Sequence, residues 1–118
     1  MNRCKSVRAE LEAISKSQLV EEVQIVEASE SVLKARVQMA KGLFVQVYRN
    51  DRFGTTDFAL VLGRQRIYGR DEIAGKWHRH SHETPEMHDH SPEGVRPVRL
   101  VEFWEEVQEL LCRLGWTL

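Results

Sequence analysis

All five histidines of this 118-residue chain lie between positions 78 and 90. They form two groups, HRHSH at positions 78–82 and HDH at positions 88–90. Nearly every neighbouring residue is polar, so packing in a hydrophobic core does not explain this concentration of imidazoles. Imidazole binds metals and also exchanges a proton near neutral pH. The segment is therefore the candidate functional site, and three interpretations of it compete.

The first interpretation is a metal site. In an extended backbone, side chains two residues apart project from one face, so His78, His80 and His82 would line up. An HxH pair on a strand can bring two ring nitrogens to one ion at about 2.0–2.1 Å. Further ligands would come from the second group or from a nearby carboxylate, namely His88, His90, Glu83 or Asp89. Zinc, nickel, manganese and iron are the divalent transition metals that suit such a set.

The second interpretation is acid–base chemistry on RNA. Cleavage beside a ribose 2′-hydroxyl needs a base, an acid and a cation near the phosphate, and imidazoles with a pKa of about 6.5 serve both proton roles. The candidate catalytic residues are His78, His80, His88 and His90. The candidate RNA contacts are Arg79, Lys76 and Arg70 for phosphate, together with Trp77, which either stacks on a base or anchors the segment on the sheet.

The third interpretation gives the histidines no chemical role. They would only make hydrogen bonds in a solvated, pH-sensitive or partner-binding surface loop. The spacing of the residues leaves all three interpretations open.

Around this segment the sequence predicts a single α+β domain over residues 1–118. Apolar residues at helical spacing predict a helix over about 6–18, and β-branched and aromatic residues predict strands over about 20–73. Short polar connections favour an antiparallel sheet of about five strands in meander order. Prolines and glycines in segment 76–94 predict a loop with one extended stretch at its start. An apolar stripe predicts a second helix over about 98–114, with both helices packed on one face of the sheet.

Composition and charge narrow the class of protein. The formal net charge of -1 argues against binding of nucleic acid by bulk charge, although residues 41–82 hold eight basic and four acidic residues. No apolar run approaches the ~20 residues that cross a bilayer. The N-terminal residues carry no secretion signal, so we expect a cytoplasmic protein without a membrane partner. A small sheet also leaves exposed edges, which favours a homodimer.

The segment WHRHSHETPEMHDHSPEG, followed by VRPVRLVEFWEEVQELL, resembles the C-terminal half of TumE-like toxins of prokaryotic toxin–antitoxin systems. Those proteins are similar in order, with a short antiparallel sheet, a histidine-rich segment that ends in HxH, and an amphipathic helix. The similarity lies mainly over residues 76–114 and falls on His88, Asp89 and His90. It implies a toxin-like protein that acts on RNA or the translation apparatus and is neutralised by a cognate antitoxin. The alternative function is a metal-binding domain without catalysis, and a metal-assisted nuclease would combine the two.

Overall fold

The computed structural model describes residues 3–40 and 42–116. Within these residues the chain forms two helices and six strands, which are α1 (Arg3–Ile14), β1 (Glu22–Ala28), β2 (Val32–Ala40), β3 (Leu43–Asn50), β4 (Thr55–Leu62), β5 (Gln65–Ile73), β6 (Lys76–His80) and α2 (Leu100–Arg113). The strands form one sheet in chain order, and each is antiparallel to its neighbours. The predicted α+β fold with a meander sheet is confirmed, with one strand more than expected.

The additional strand is β6, the extended start of the histidine segment. Ala74 (φ 52°) and Gly75 (φ 82°) connect it to β5. Positive φ at two successive positions gives a tight turn whose twist matches that of the flanking strands. Alanine rarely adopts such a conformation, so the sequence carries no strong signal for this turn. The resulting β5–β6 hairpin begins with the pairing of Ile73 and Lys76.

The helix boundaries differ from the predicted ones by a few residues. Among the described residues helix α1 spans Arg3–Ile14, against the predicted 6–18, and Asp51 in the β3–β4 turn accepts the backbone N–H of Cys4 at 3.1 and 3.2 Å. A carboxylate at a helix N-terminus satisfies an unpaired N–H and favours the helix dipole. Helix α2 begins at Leu100, where the Arg99 N–H donates to Glu102 at 2.7 Å.

Both helices pack on one face of the sheet. Alternate residues of the central strands point into this core, namely Leu33, Ala35, Val37, Val45, Val47, Phe58 and Leu60. They meet the apolar stripes of α1 and α2, among them Val7, Leu11, Phe103 and Val107. Within the described residues no helix covers the other face, which we call the open face. None of the described helices is long and apolar enough to span a membrane.

A buried guanidinium joins α2 and the end of the histidine segment to the sheet. The Arg70 side chain is fully buried (0% exposed). It donates to both carboxylate oxygens of Glu106 at 3.1 and 2.9 Å, and to the Glu93 carboxylate at 2.9 Å. Tyr68 also donates to Glu106; burial and then this hydrogen bond raise the pKa of Tyr68 to about 12. These contacts fix the path of the chain from the histidines into α2.

We expect Arg70→Ala to lower the free energy of unfolding by roughly 3–5 kcal/mol, because it removes the fully buried cation that pairs with Glu93 and Glu106. Arg96→Ala is the matched control, since Arg96 pairs with the same Glu93 and Glu106 but is 39% exposed. Its removal should cost under about 1 kcal/mol. Urea unfolding followed by circular dichroism measures both values. Equal losses in the two variants would contradict the assignment.

Candidate functional site

The β5–β6 hairpin separates its side chains onto two faces. In its register Asp71 lies opposite His78, and Gly69 lies opposite His80. Because side chains alternate along a strand, Asp71, His78 and His80 lie on the open face. Their neighbours Trp77 and Arg79 lie on the face that carries the helices.

The second histidine group returns to β6 through Asp89. The Asp89 N–H donates to the Arg79 carbonyl at 2.8 Å, which makes an isolated antiparallel bridge. The Arg79 guanidinium donates to one oxygen of the Asp89 carboxylate at 2.9 Å (Nε) and 2.7 Å (Nη2). HRH at 78–80 and HDH at 88–90 are therefore paired in register around their central residues.

This pairing brings the two histidine groups together. Ring centroids are 4.8 Å apart for His78 and His90, 4.7 Å for His80 and His88, and 4.9 Å for His78 and His88. With the charged pair Arg79–Asp89 on the other side of the backbone, the flanking imidazoles share the open face. Four of the five histidines thus form one cluster.

The position of Asp89 is fixed from several sides. Its second carboxylate oxygen accepts the Ser91 N–H at 2.9 Å. That backbone hydrogen bond, followed by the Ser91 side chain and Arg79, lowers the pKa of Asp89 to about 2, so the carboxylate stays charged at neutral pH. Gly94 passes so close that a Cβ there would overlap the Asp89 carbonyl oxygen, which explains the glycine at this position.

Two buried polar atoms of the cluster have no hydrogen-bond partner among the described residues. They are Asp71 Oδ1 and His78 Nδ1, and they face each other at 3.8 Å. Asp71, His78 and His88 each offer one ligand atom, and these three atoms lie within 4.8 Å of one another. The side chains of Asp71 and His78 are partly buried, whereas His88 is exposed.

His80 holds the other oxygen of the Asp71 carboxylate. Its Nε2 lies 2.9 Å from Asp71 Oδ2, and its Nδ1 lies 2.9 Å from the Pro85 carbonyl oxygen. Both partners are hydrogen-bond acceptors and hold the His80 ring between them. His80 therefore orients Asp71, which leaves Oδ1 free to face His78.

His78 favours the neutral form. Burial, followed by the neighbouring His90 and His88, lowers the pKa of His78 below its usual value, and Asp71 opposes the shift. A neutral imidazole has a lone pair available for a metal ion or a proton.

A second carboxylate and an arginine border the cluster. Asp57 on β4 lies opposite Asp71 and accepts from Arg66 Nη2 at 3.0 and 3.1 Å. Burial raises the pKa of Asp57, while Arg66 opposes the rise. A β-bulge opposite Leu60 and Val61 shifts the alternation of β5, so that Arg66 reaches the open face.

His82 and Glu83 lie outside the cluster. Strand β6 ends at His80, so the alternation that would align His82 with His78 does not continue. Both residues instead line a groove of about 410 Å³ with Glu109 and Arg113. The two HxH pairs are brought together, whereas these two predicted metal ligands are not.

The four residues predicted to contact RNA differ in burial and in their hydrogen-bond partners. Arg70 is fully buried and bound to two carboxylates, so its surroundings do not suit a phosphate ligand. Trp77 is 4% exposed and packs 6.4 Å from the Phe58 ring, which suits an anchor and leaves no face for a base. Arg79 is bound to Asp89, and Lys76 is exposed at the start of β6.

Sequence analysis missed Asp71, Asp57 and Arg66. Their places depend on the register of β4, β5 and β6, which the sequence pattern does not specify. A signal for the pairing of the two HxH groups was present, because a cation stands between one pair of histidines and an anion between the other. Opposite charges directly across an antiparallel pair stabilise it.

Comparison with protein-family models, with curated proteins and with solved structures found no match. The resemblance to TumE-like toxins therefore remains a hypothesis, and the chemistry of the site has to be inferred from its geometry.

We expect Asp89→Ala to separate the two histidine groups, because it removes both the Arg79 ion pair and the acceptor for the Ser91 N–H. Nuclear Overhauser effects between the rings of His78 and His90, and of His80 and His88, should be present in the parent protein and lost in the variant. Glu86→Ala, in the same loop, is the control and should keep them. Retention of both effects in Asp89→Ala would refute the role of this pair.

Proposed function

We propose that the protein binds a divalent transition metal through Asp71, His78 and His88. The observation that carries the proposal is the pair of unpartnered atoms, Asp71 Oδ1 and His78 Nδ1, that face each other at 3.8 Å. A buried polar atom without a partner costs about 1–3 kcal/mol. One ion at about 2.0–2.2 Å from each donor spans this gap and satisfies both atoms.

The donor set suits such an ion. Two imidazoles and one carboxylate leave further coordination positions for water or a substrate oxygen, as in metal sites that carry out chemistry. The lowered pKa of His78 keeps its nitrogen free of a competing proton near neutrality. His80 would act as a positioning residue, because partners that orient a ligating carboxylate are part of metal sites. His90, whose ring lies 4.8 Å from that of His78, is exposed and borders the proposed site on its solvent side.

Isothermal titration of tag-free protein with zinc, nickel, manganese and ferrous ions tests this proposal. We expect about one equivalent of at least one metal to bind. Asp71→Asn and His78→Ala should each weaken binding by more than the 10–100-fold that changes outside the ligand set cost. His82→Ala is the matched control, since it removes an imidazole from the same segment but outside the cluster. Equal weakening in His82→Ala, or less than about 0.1 equivalents bound by the parent protein, would overturn the proposal.

A second candidate function is the toxin-like action on RNA that the resemblance implies, in the cytoplasm and under control of an antitoxin. The supporting observation is that His88 and His90 are both exposed, with ring centroids 6.2 Å apart. One imidazole would take the proton of the 2′-hydroxyl as its oxygen bonds to phosphorus, and the other would give a proton to the leaving 5′-oxygen. The edge strand β1, where Ile25 and Val26 are 55% and 56% exposed, offers a surface for the antitoxin or a second copy.

Expression in host cells, with RNA cleavage assayed in vitro, tests this second candidate. We expect the parent protein to slow growth, and the His88→Ala/His90→Ala double variant to be harmless. His82→Ala should remain toxic. Cleavage that persists in excess chelator would assign the chemistry to the imidazoles, and cleavage lost on chelation would assign it to the metal. Equal growth with both proteins and intact RNA would rule out the toxin function.

A further inference from the structure

The open face carries a cationic groove beside the histidine cluster. The groove has a volume of about 510 Å³ and is lined by Arg36, Phe44, Gln46, Ala59, Val61, Gly63, Arg64 and Arg66. We call it the arginine groove. None of these described lining residues is acidic, although the whole chain has a net charge of -1. The positive charge is therefore local, as a specific anion-binding surface requires.

Two of its three arginines have no carboxylate partner among residues 3–40 and 42–116. The Arg36 guanidinium lies over the Phe44 ring, 4.7 Å from its centroid, and Arg64 is exposed in the β4–β5 turn. Arg66 is the exception, because it pairs with Asp57. Unpaired guanidinium groups bind phosphate through paired N–H donors, and their flat faces stack on bases.

A row of open-face residues joins the groove to His80, which orients Asp71 of the proposed metal site. The strand register places Arg36, Gln46, Ala59, Gly69 and His80 in one row across β2 to β6. Four inter-strand spacings of about 4.8 Å make this row about 19 Å long. Arg64 and Arg66 also line the next depression along the face, together with Gln65, His80, Pro85 and one acidic residue, Glu86.

The side chains at the centre of this row are small. Ala59 and Gly69 are the small residues at its centre, and a Cβ added at Gly69 would lie 3.2 Å from Arg66 Nη1. The absence of a side chain at Gly69 therefore gives Arg66 room, and its guanidinium lies over the row between the groove and the histidines.

We propose that the arginine groove binds the phosphodiester backbone of a single-stranded nucleic acid and leads it to the cluster of Asp71, His78 and His88. Binding of the strand does not depend on the proposed metal function. Only the chemistry at Asp71, His78 and His88 rests on it. The row is longer than a lone phosphate needs. A positively charged groove that follows the backbone, with guanidinium planes on which unpaired bases can stack, favours single strands over duplexes.

Fluorescence anisotropy with a labelled single-stranded oligouridylate tests the proposal. In the Arg36→Gln/Arg64→Gln variant we expect binding to weaken about 20-fold at 0.1 M salt, and the slope of log K against log salt to fall by about 1.4, as two lost phosphate contacts predict. Arg52→Gln/Arg113→Gln is the matched control. It removes the same charge from two exposed arginines outside the groove and should leave binding within about twofold.

Equal weakening in the two double variants would overturn the groove, as would unchanged binding in the first, tighter binding of duplex RNA, or no binding by the parent protein. The same titration with a labelled oligodeoxyuridylate compares the affinity for DNA with that for RNA. Equal affinity for both supports recognition of the phosphate backbone alone. Zinc titration of the same variants keeps the two proposals distinct. Both double variants should bind metal like the parent, and a parent protein that binds metal but no oligonucleotide refutes the groove while leaving the metal site intact.

Discussion

The contact on which the candidate site depends is the pairing of Arg79 with Asp89. One backbone hydrogen bond and one ion pair align two HxH sequences as short antiparallel segments. Opposite charges at the two central positions select this register, and alternation then places the flanking histidines on a single face. A shift by one residue would turn the imidazoles to the other face, so the cluster exists only in this register.

The two faces of the β5–β6 hairpin carry different kinds of residue. On the side of the helices, Arg70 and Trp77 are buried and join the sheet to α2 and to the core. On the open face lie Asp71 and His78, which the proposed metal site uses, and His80, which orients Asp71. Burial of the Arg70 charge is tolerated because two carboxylates surround it, and these same contacts hold the chain beyond Asp89 in place. The contacts on one face thus position the polar cluster on the other.

The arrangement of elements follows closely from local pattern. Alternating apolar residues, short turns and two amphipathic stripes predict a meander sheet with helices on one face, and the structure confirms it. The sixth strand required a turn in which Ala74 has positive φ, which local preference disfavours. The first described turn of α1 is capped by Asp51, which lies 47 positions further along the chain. Neither the sixth strand nor the cap of α1 could be predicted from neighbouring residues in the sequence.

For the site, the sequence by itself determined which side chains are available. These are five imidazoles in one segment, arranged as two HxH groups with opposite charges at their central positions. It also fixed the alternation that puts the histidines of each pair on one face. The tertiary structure decided which residues meet. It brought Asp71 from β5 to His78, left His82 and Glu83 outside the cluster, buried Arg70 and Trp77, and placed Arg36, Arg64 and Arg66 along the same open face. Strand register and the β-bulge in β5 set these distances, and both depend on packing across the whole sheet rather than on neighbours in the chain.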